Sequence, residues 1–400
     1  MKIGILTQYF KPEMGAPPTR LYELAKGLQS LGNDVFIITG MPNYPTGKIF
    51  KQYKRKFNVS ENIEGLHISR VWLYASNSKK AIPRIFNMLS FSLTSLFSLP
   101  NLIKNRLDFL IVESPPLTLG LSGVILSKLS KTKLITNISD IWPLSAKELG
   151  AISDGMVYKL LEKVEKFIYK NSFATMGQSE EIVKHISSKT NKKAFLFRNG
   201  VDPSRFQSLL SSKNTTNTEK KPLIITYAGL LGYAQGIADI CKNVDFKNLG
   251  VEFHIYGDGG EKKEIEDYIK ENPDKGIIYY GVISREELPE VLINSDYSLI
   301  PLIKNIYGAV PSKIYESMAA GLPIIFMGEG EGARIISKYD LGVVIAPKDY
   351  QALKDVILTI KTNHITQERM SLNCIRAAEE NFNRQIQIKK LNDFLIQNLK

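Results

Sequence analysis

"VPSKIYESMAAGLPII", residues 310–325, compresses a turn, a short helix and a buried strand into one stretch. Ser312 suits a helix N-cap, Gly321 is placed for the left-handed residue that closes a helix, and Pro323 forbids its continuation. The helix so delimited has about eight residues, too few to gain much from propensity, so its purpose is positional. Lys313 and Glu316 fall in its first turn and just beyond. Three apart, they can pair across one helix face. They can equally divide a ligand, with Lys313 and the helix N-terminus on a pyrophosphate and Glu316 accepting hydrogen bonds from ribose hydroxyls. Local sequence leaves both open.

The same turn, helix and strand alternation runs outward in both directions. Apolar, often β-branched runs recur: "KIGIL", "DVFIITG", "DFLIVES" and "KLITNIS" in the first half, then "LIITYAG", "VEFHIYG", "GIIYYG", "YSLIPL" and "PIIFMG". Runs without polar alternation, separated by helical patterns, indicate parallel sheets covered on both faces. Two series predict two doubly wound α/β domains, and 400 residues exceed what one core supports. The boundaries expected are 1–207 for the first domain, a linker or surface excursion at 208–221 ("SLLSSKNTTNTEKK"), and 222–380 for the second. The segment 381–400 carries Phe382, Ile386, Ile388, Leu391, Phe394 and Leu395 near helical spacing, an amphipathic helix that must dock.

Charge is unevenly placed. Residues 1–200 hold 28 Lys and Arg against 14 Asp and Glu, whereas the remainder holds 24 against 26. That asymmetry points to an anionic partner for the first half or to a solvated basic face. Cys241 and Cys374 lack disulfide or metal-ligand spacing, so a reducing cytoplasm is expected. The opening "MKIGIL" is too short an apolar run for a secretory signal and reads as a first strand. Residues 85–103 are 19 uncharged positions, but seven are Ser, Thr or Asn and Pro100 interrupts them, which argues against a membrane span. Ile85, Met88, Leu89, Leu96 and Phe97 instead predict a helix with an apolar side, flanked by Lys79, Lys80, Arg84, Lys104 and Arg106. It packs on the sheet or lies in an anionic membrane interface.

Strand ends carry the chemistry. The first strand runs into "QYFKPEMGAPPTR", where Gly15 allows close backbone approach and a helix is expected near Thr19. No GxGxxG accompanies it, which argues against hydride transfer. "YGDGGEKK" places Gly257, Gly259 and Gly260 between a strand and a helix, with Asp258 as a possible cap. "EGEGA", 329–333, reads as a Gly loop without a metal pattern. HExxH, GxSxG and GxxxxGK[ST] are absent and His67, His185, His254 and His364 are scattered, which removes the usual signatures of proteolysis, esterase chemistry and P-loop hydrolysis.

Taken in order, "YFKPEMGAPPTRLYELAKGLQSLGNDVFIITG", "DFLIVESPPLTLG", "SDIWPLSAKELG", "RNGVDPSRF", "YAGLLGYAQGI", "HIYGDGG", "YGVISREELPEVLINSDYSLIPL" and "VPSKIYESMAAGLPII" resemble the retaining family-four glycosyltransferases of the GT-B fold. The "DIWP", "GxxGYAQG" and "VPSKIYE" forms resemble the surface-polysaccharide branch of the WbuB type, ascribed to L-fucosamine transfer in O-antigen synthesis. The resemblance implies two Rossmann-like domains facing across a cleft, a nucleotide sugar held mainly by the second, and the last helix crossing back onto the first. By position, Glu316 matches the ribose-binding glutamate, Gly15 the first-loop glycine near the donor phosphates, Val282 the backbone contact to the base and Asn199 the "NGVD" element. Asp140 stands where many members place a histidine touching the donor sugar. Gly229, Gln235, Gly257 and Ser312 fall in the matching donor loops. Two departures stand out: the family's second glutamate is Gly308, and its pyrophosphate-binding Arg and Lys are Leu230 and Gln235. Lys313, helped by Arg198 or Arg20, is then the expected source of compensating charge.

The implied reaction is metal-free, retaining transfer of a sugar such as an N-acetylated deoxyhexose from its UDP form to a polyprenyl-pyrophosphate-linked saccharide. Asp140, Lys313 and Glu316 carry it at the cytoplasmic face of the inner membrane. The basic first domain and the 84–104 segment would meet the acceptor pyrophosphate and the bilayer, and other polysaccharide-assembly enzymes are possible partners. A sugar-nucleotide epimerase, a non-catalytic glycan-binding scaffold and a nucleic-acid-binding protein are the alternatives. The first is separated by acceptor-independent change of the donor, the last by salt-sensitive nucleic-acid binding.

Overall fold

The computed structural model describes residues 1–78, 80–190, 192, 194–212 and 222–399. Its chain divides into two compact units, Met1–Arg198 with Gln385–Lys400, and Asn199–Arg384.

The first unit contains an eight-stranded sheet of β1 (Lys2–Leu6), β2 (Asp34–Gly40), β3 (Asn58–Ile63), β4 (Leu66–Val71), β5 (Phe109–Ser114), β6 (Lys133–Ile138), β7 (Ala174–Gly177) and β8 (Phe195–Leu196). The order is β3-β4-β2-β1-β5-β6-β7-β8, parallel except for the antiparallel β3–β4 edge. The second unit contains β9 (Leu223–Ala228), β10 (Val251–Tyr256), β11 (Ile277–Gly281), β12 (Tyr297–Pro301), β13 (Ile324–Met327) and β14 (Gly342–Ile345), all parallel in the order β11-β10-β9-β12-β13-β14. All nine quoted apolar runs are strands. Most are buried on both faces because helices cover both sides, which is why their sequence shows no polar alternation; the edge strand β11 is the exception, with Ile278 and Tyr280 exposed.

The β3–β4 hairpin, β7, β8 and β14 were not legible in the sequence. β3 alternates exposed and half-buried positions at a sheet edge and reads as a loop, and β8 has only two residues.

In the first unit, Ile3, Leu21, Leu24 and Ile37 pack with Ile388, Leu391 and Leu395 on one face of the sheet, while Leu6, Ile38, Phe91, Leu119 and Val124 fill the other. The docked part of the last helix, Arg384–Gln397, thus begins later than 381. Phe382 belongs to the core of the second unit with Tyr315 and Met318. The chain enters the second unit at Asn199, earlier than the expected 207/208 boundary, because Val201 and Phe206 are buried in that unit's core. Of the expected linker 208–221, positions Ser208–Ser212 close the helix Ser204–Ser212, and 213–221 lie outside the described residues.

Three local expectations change. The first helix spans Ala16–Ser30, starting before Thr19, since Pro17 and Pro18 lack the N–H that a first turn leaves unpaired anyway. "EGEGA" opens the helix Gly330–Tyr339, with Glu331 buried, and is no flexible loop. The 84–104 segment is a helix Ala81–Ser95, a 3-10 turn Leu96–Ser98 and a helix Leu99–Asn105 with Pro100 in its first turn. Its expected apolar side is divided: Leu96 packs against the core beside buried Phe91, whereas Ile85, Leu89 and Phe97 are exposed and the polar Asn87, Ser92, Ser95 and Ser98 are buried. Hydrogen bonds accompany the buried polar positions: Asn87 Nδ2 donates to the Tyr74 carbonyl at 2.7 Å, and Ser122 Oγ donates to the Ser92 carbonyl at 2.7 Å.

Candidate active site

In the second unit strand order reverses at β9, which has β10 on one side and β12 on the other. Ligands of open α/β sheets sit outside the carboxyl ends of strands at such a reversal. The loop after β9 begins at Gly229 and the loop after β10 at Gly257, both with positive φ, 148° and 139°. Their backbones touch: Gly229 N donates to the Tyr256 carbonyl at 2.9 Å, and a Cβ on Gly257 would stand 1.8 Å from the Gly229 carbonyl oxygen. Leu231 N donates to the Asp258 carbonyl at 2.9 Å. Glycine is therefore a requirement of this approach and not merely of a turn. Asp258 accepts from Gly259 N at 2.8 Å and does not cap the following helix.

Lys313 lies over this floor. Its Nζ would meet a Cβ on Gly229 at 2.6 Å and stands 5.1 Å from the Tyr227 ring centroid. Burial holds its pKa below the ordinary lysine value, with Glu316 opposing. Burial likewise raises the Glu316 carboxyl, against the lowering charges of Arg205, Lys313 and Arg285. Both side chains are half-buried. Among the described residues neither the ammonium nor the carboxylate makes a hydrogen bond or an ion pair, with each other or with anything else. The tie across the helix face that sequence allowed does not form. The helix itself, Lys313–Ala319, is one residue shorter than expected and receives no side-chain cap from the exposed Ser312. Gly321 does take the left-handed conformation, φ 63°.

Arg205 and Arg285 carry charge to Glu316 and were not singled out in the sequence. Arg205 donates to the Arg285 carbonyl at 2.7 Å, and burial lowers its pKa. Both sit in segments that carry the family resemblance, "RNGVDPSRF" and "YGVISREEL", but only folding brings them to the glutamate. Gln235 places a buried Oε1 without a partner in the Gly229 loop, while Leu230 and Val282 are exposed. Gly308 adopts φ 88°, a conformation that disfavours a glutamate there. Asn199 accepts from Arg384 through its carbonyl at 2.6 Å, at the start of the unit.

The first unit reverses its order at β1, between β2 and β5. Gly15 follows, with φ 142° and a Cβ position 3.3 Å from the Tyr44 ring. Arg20 is buried and paired with Glu113, and its NH1 donates to Gln178 Oε1 at 3.3 Å. Burial raises the pKa of Asp140, with Arg20 lowering and Glu113 raising it, although the side chain also reaches solvent. Arg198 is engaged by Glu180 at 2.5 Å. Of the cations proposed for charge compensation, Arg20 and Arg198 thus have carboxylate partners and Lys313 has none.

Two doubly wound units, each with candidate site residues near its order reversal, agree with what whole-chain comparison finds. The glycosyl transferase 4-like domain family matches residues 15–194 and the glycosyl transferases group 1 family matches residues 210–377, so the chain is a glycosyltransferase of the GT-B fold. Among individual proteins, WcaI of Escherichia coli strain K12, described as a colanic acid biosynthesis glycosyl transferase, is 22% identical over 388 residues, covering 92% of this chain and 95% of WcaI. Sucrose-phosphate synthase from Thermosynechococcus elongatus superposes with a TM-score of 0.75 at 15% identity, covering 99% of this chain and 98% of that one. HepE of Anabaena in complex with UDP gives 0.71 at 14% identity, covering 99% and 100%.

Proposed function

We propose that this glycosyltransferase moves a sugar from a UDP-sugar to a polyprenyl-pyrophosphate-linked saccharide in surface-polysaccharide synthesis, with retention at the anomeric carbon and without a metal. The observation that carries the reading is the pair Lys313 and Glu316: half-buried, oppositely charged and without a hydrogen bond or ion pair among the described residues, with Lys313 set over the Gly229 floor at the order reversal and Glu316 near Arg205 and Arg285. A desolvated charge without a partner is costly, and such groups concentrate where a ligand completes them. Lys313 neutralises the departing diphosphate, Glu316 accepts the ribose hydroxyls, and the Val282 backbone meets the base. Asp140, Arg20 and Asn199 keep the sugar-side and loop roles that the family resemblance implies. HepE has been solved with UDP-glucose and WcaI is described for colanic acid biosynthesis, which supports a UDP donor and a polysaccharide product. The finer assignment is the WbuB-type donor, N-acetyl-L-fucosamine.

The same reading places the enzyme at the cytoplasmic face of an anionic membrane. On Ala81–Ser95 and the following turn, Ile82, Phe86, Leu93 and Phe97 are 68%, 59%, 64% and 64% exposed, beside exposed Lys80, Arg84, Lys104 and Arg106. An apolar face ringed by cations suits the interface of an anionic bilayer. Among the described residues no helix is long and apolar enough to cross a membrane.

A thermal-shift panel of UDP-, GDP- and dTDP-sugars tests the donor. UDP-sugars are expected to raise the melting temperature in proportion to occupancy. Stabilisation by GDP- or dTDP-sugars alone would overturn the donor assignment. Release of UDP only when a lipid-linked acceptor is present tests transfer against epimerisation.

A further inference from the structure

Behind Arg20 lies a buried polar chain that the proposed chemistry has not yet used. Glu113 closes β5 at the order reversal of the first sheet, and both its oxygens are engaged. One accepts from Arg20 NH2, the other from Asn137 Nδ2 at 2.6 Å. Arg20 also donates to Gln178 Oε1, so Glu113 near the end of β5 and Gln178 just past β7 meet one guanidinium from the helix Ala16–Ser30, while Asn137 near the end of β6 holds the carboxylate from its other side. Exposures are 8% for Arg20, 5% for Glu113, 0% for Asn137 and 9% for Gln178. A buried carboxylate and guanidinium hold each other in one geometry, and removing either strands the other. Asp140, in the loop after β6, feels both charges.

We propose that Glu113 is a positioning residue for sugar transfer: it fixes Arg20 at the paired ends of β5 and β6, from which the Asp140 loop leaves through Ser139, whose N donates to the Ser114 carbonyl at 2.9 Å. The proposal rests on the reading above that gives Asp140 a sugar-side role, and adds that the carboxylate is its working form. Glu113 touches no substrate itself. The charged groups acting on Asp140 are Arg20, which favours its ionised form, and Glu113, which disfavours it. Removing each must therefore move Asp140 in opposite directions, a signature that a purely structural clamp lacks.

The test measures UDP-sugar turnover (kcat/KM against pH) for the full chain, with UDP binding measured in parallel by thermal shift. In Glu113→Gln the acidic limb is expected to move down by about one pH unit, and in Arg20→Gln up by a similar amount. UDP binding, assigned to the second unit, stays within twofold in Glu113→Gln, while its kcat falls at least tenfold. If Glu113→Gln does not fold, Arg20→Gln alone decides. Limbs that stay in place or move together overturn the positioning role. A wild-type chain that binds no nucleotide sugar overturns instead the functional reading on which it rests.

Discussion

Replacing Lys313 by methionine separates a ligand-binding charge from a structural one. A full charge about 4 Å from a diphosphate oxygen, at an effective dielectric near 20, interacts by about 4 kcal/mol. Partial solvent contact of the ammonium cuts this to about 2 kcal/mol, or about 30-fold in kcat/KM. Without ligand the effect on the fold has the opposite sense, because burial holds the Lys313 pKa below 10.5 and no carboxylate is bonded to it. The folded state bears the cost of a desolvated cation at pH 7, so Lys313→Met is not expected to lower the melting temperature. The sign with pH follows: between the lowered folded value and the ordinary lysine value the unfolded chain binds more protons. The wild type therefore gains stability relative to the variant as pH rises through that window. Calorimetry at pH 7 and pH 10, with steady-state turnover of a UDP-sugar, checks both halves. A variant that melts several degrees lower yet turns over within twofold of wild type would refute the argument and return Lys313 to a structural role.

Three further outcomes are expected. Gly257→Ala forces a Cβ to 1.8 Å from the Gly229 carbonyl oxygen at φ 139°, so it should cost about 3 kcal/mol or more, several degrees in melting temperature, and weaken UDP binding. Glu13 accepts from Asn43 N at 2.8 Å, Tyr44 N at 2.9 Å and Phe10 N at 3.1 Å, yet burial lifts its pKa from 4.5 to about 7. Between those values the folded chain holds the extra proton, so stability falls as pH rises from 4.5 to 7, by at most about 3 kcal/mol. Denaturant titration at several pH values should find that slope flattened in Glu13→Gln. The double change Phe86→Ser with Leu93→Ser removes exposed side chains and should leave stability within about 0.5 kcal/mol, while co-sedimentation with vesicles rich in phosphatidylglycerol drops several-fold. Unchanged sedimentation would sink the membrane-facing reading.

Much of the fold was legible in the chain because the strands of parallel sheets are buried on both faces and announce themselves as unbroken apolar runs. "DFLIVES" and "PIIFMG" are read that way from composition alone. An edge strand can lack that mark: β3, half-exposed along its length, looks like any polar loop, whereas the edge strand β11 was legible because its exposed positions are still Ile and Tyr. For the segment Ala81–Ser95 the sequence left the sheet and a membrane interface both open, for a related reason. Apolar residues are assumed to face inward, but Asn87 and Ser92 are held inside by hydrogen bonds that no local pattern encodes. The order reversals, too, are properties of strand neighbourhood and appear only once β1 and β9 have partners on both sides.

For the candidate site the division falls within a single stretch. The sequence by itself determined that 310–325 is a turn, a brief helix and a strand, that Lys313 and Glu316 lie on one side of that helix, and that glycines stand at the neighbouring strand ends. Whether the two charges answer each other was a matter of side-chain direction. Tertiary structure decided it by laying Lys313 across Gly229 and drawing Arg205 and Arg285 toward Glu316. Arg205 stands more than a hundred residues away from the glutamate in the chain. A three-residue spacing permits a contact, but only the packing of distant segments determines whether each charge meets its neighbour, another element or a ligand.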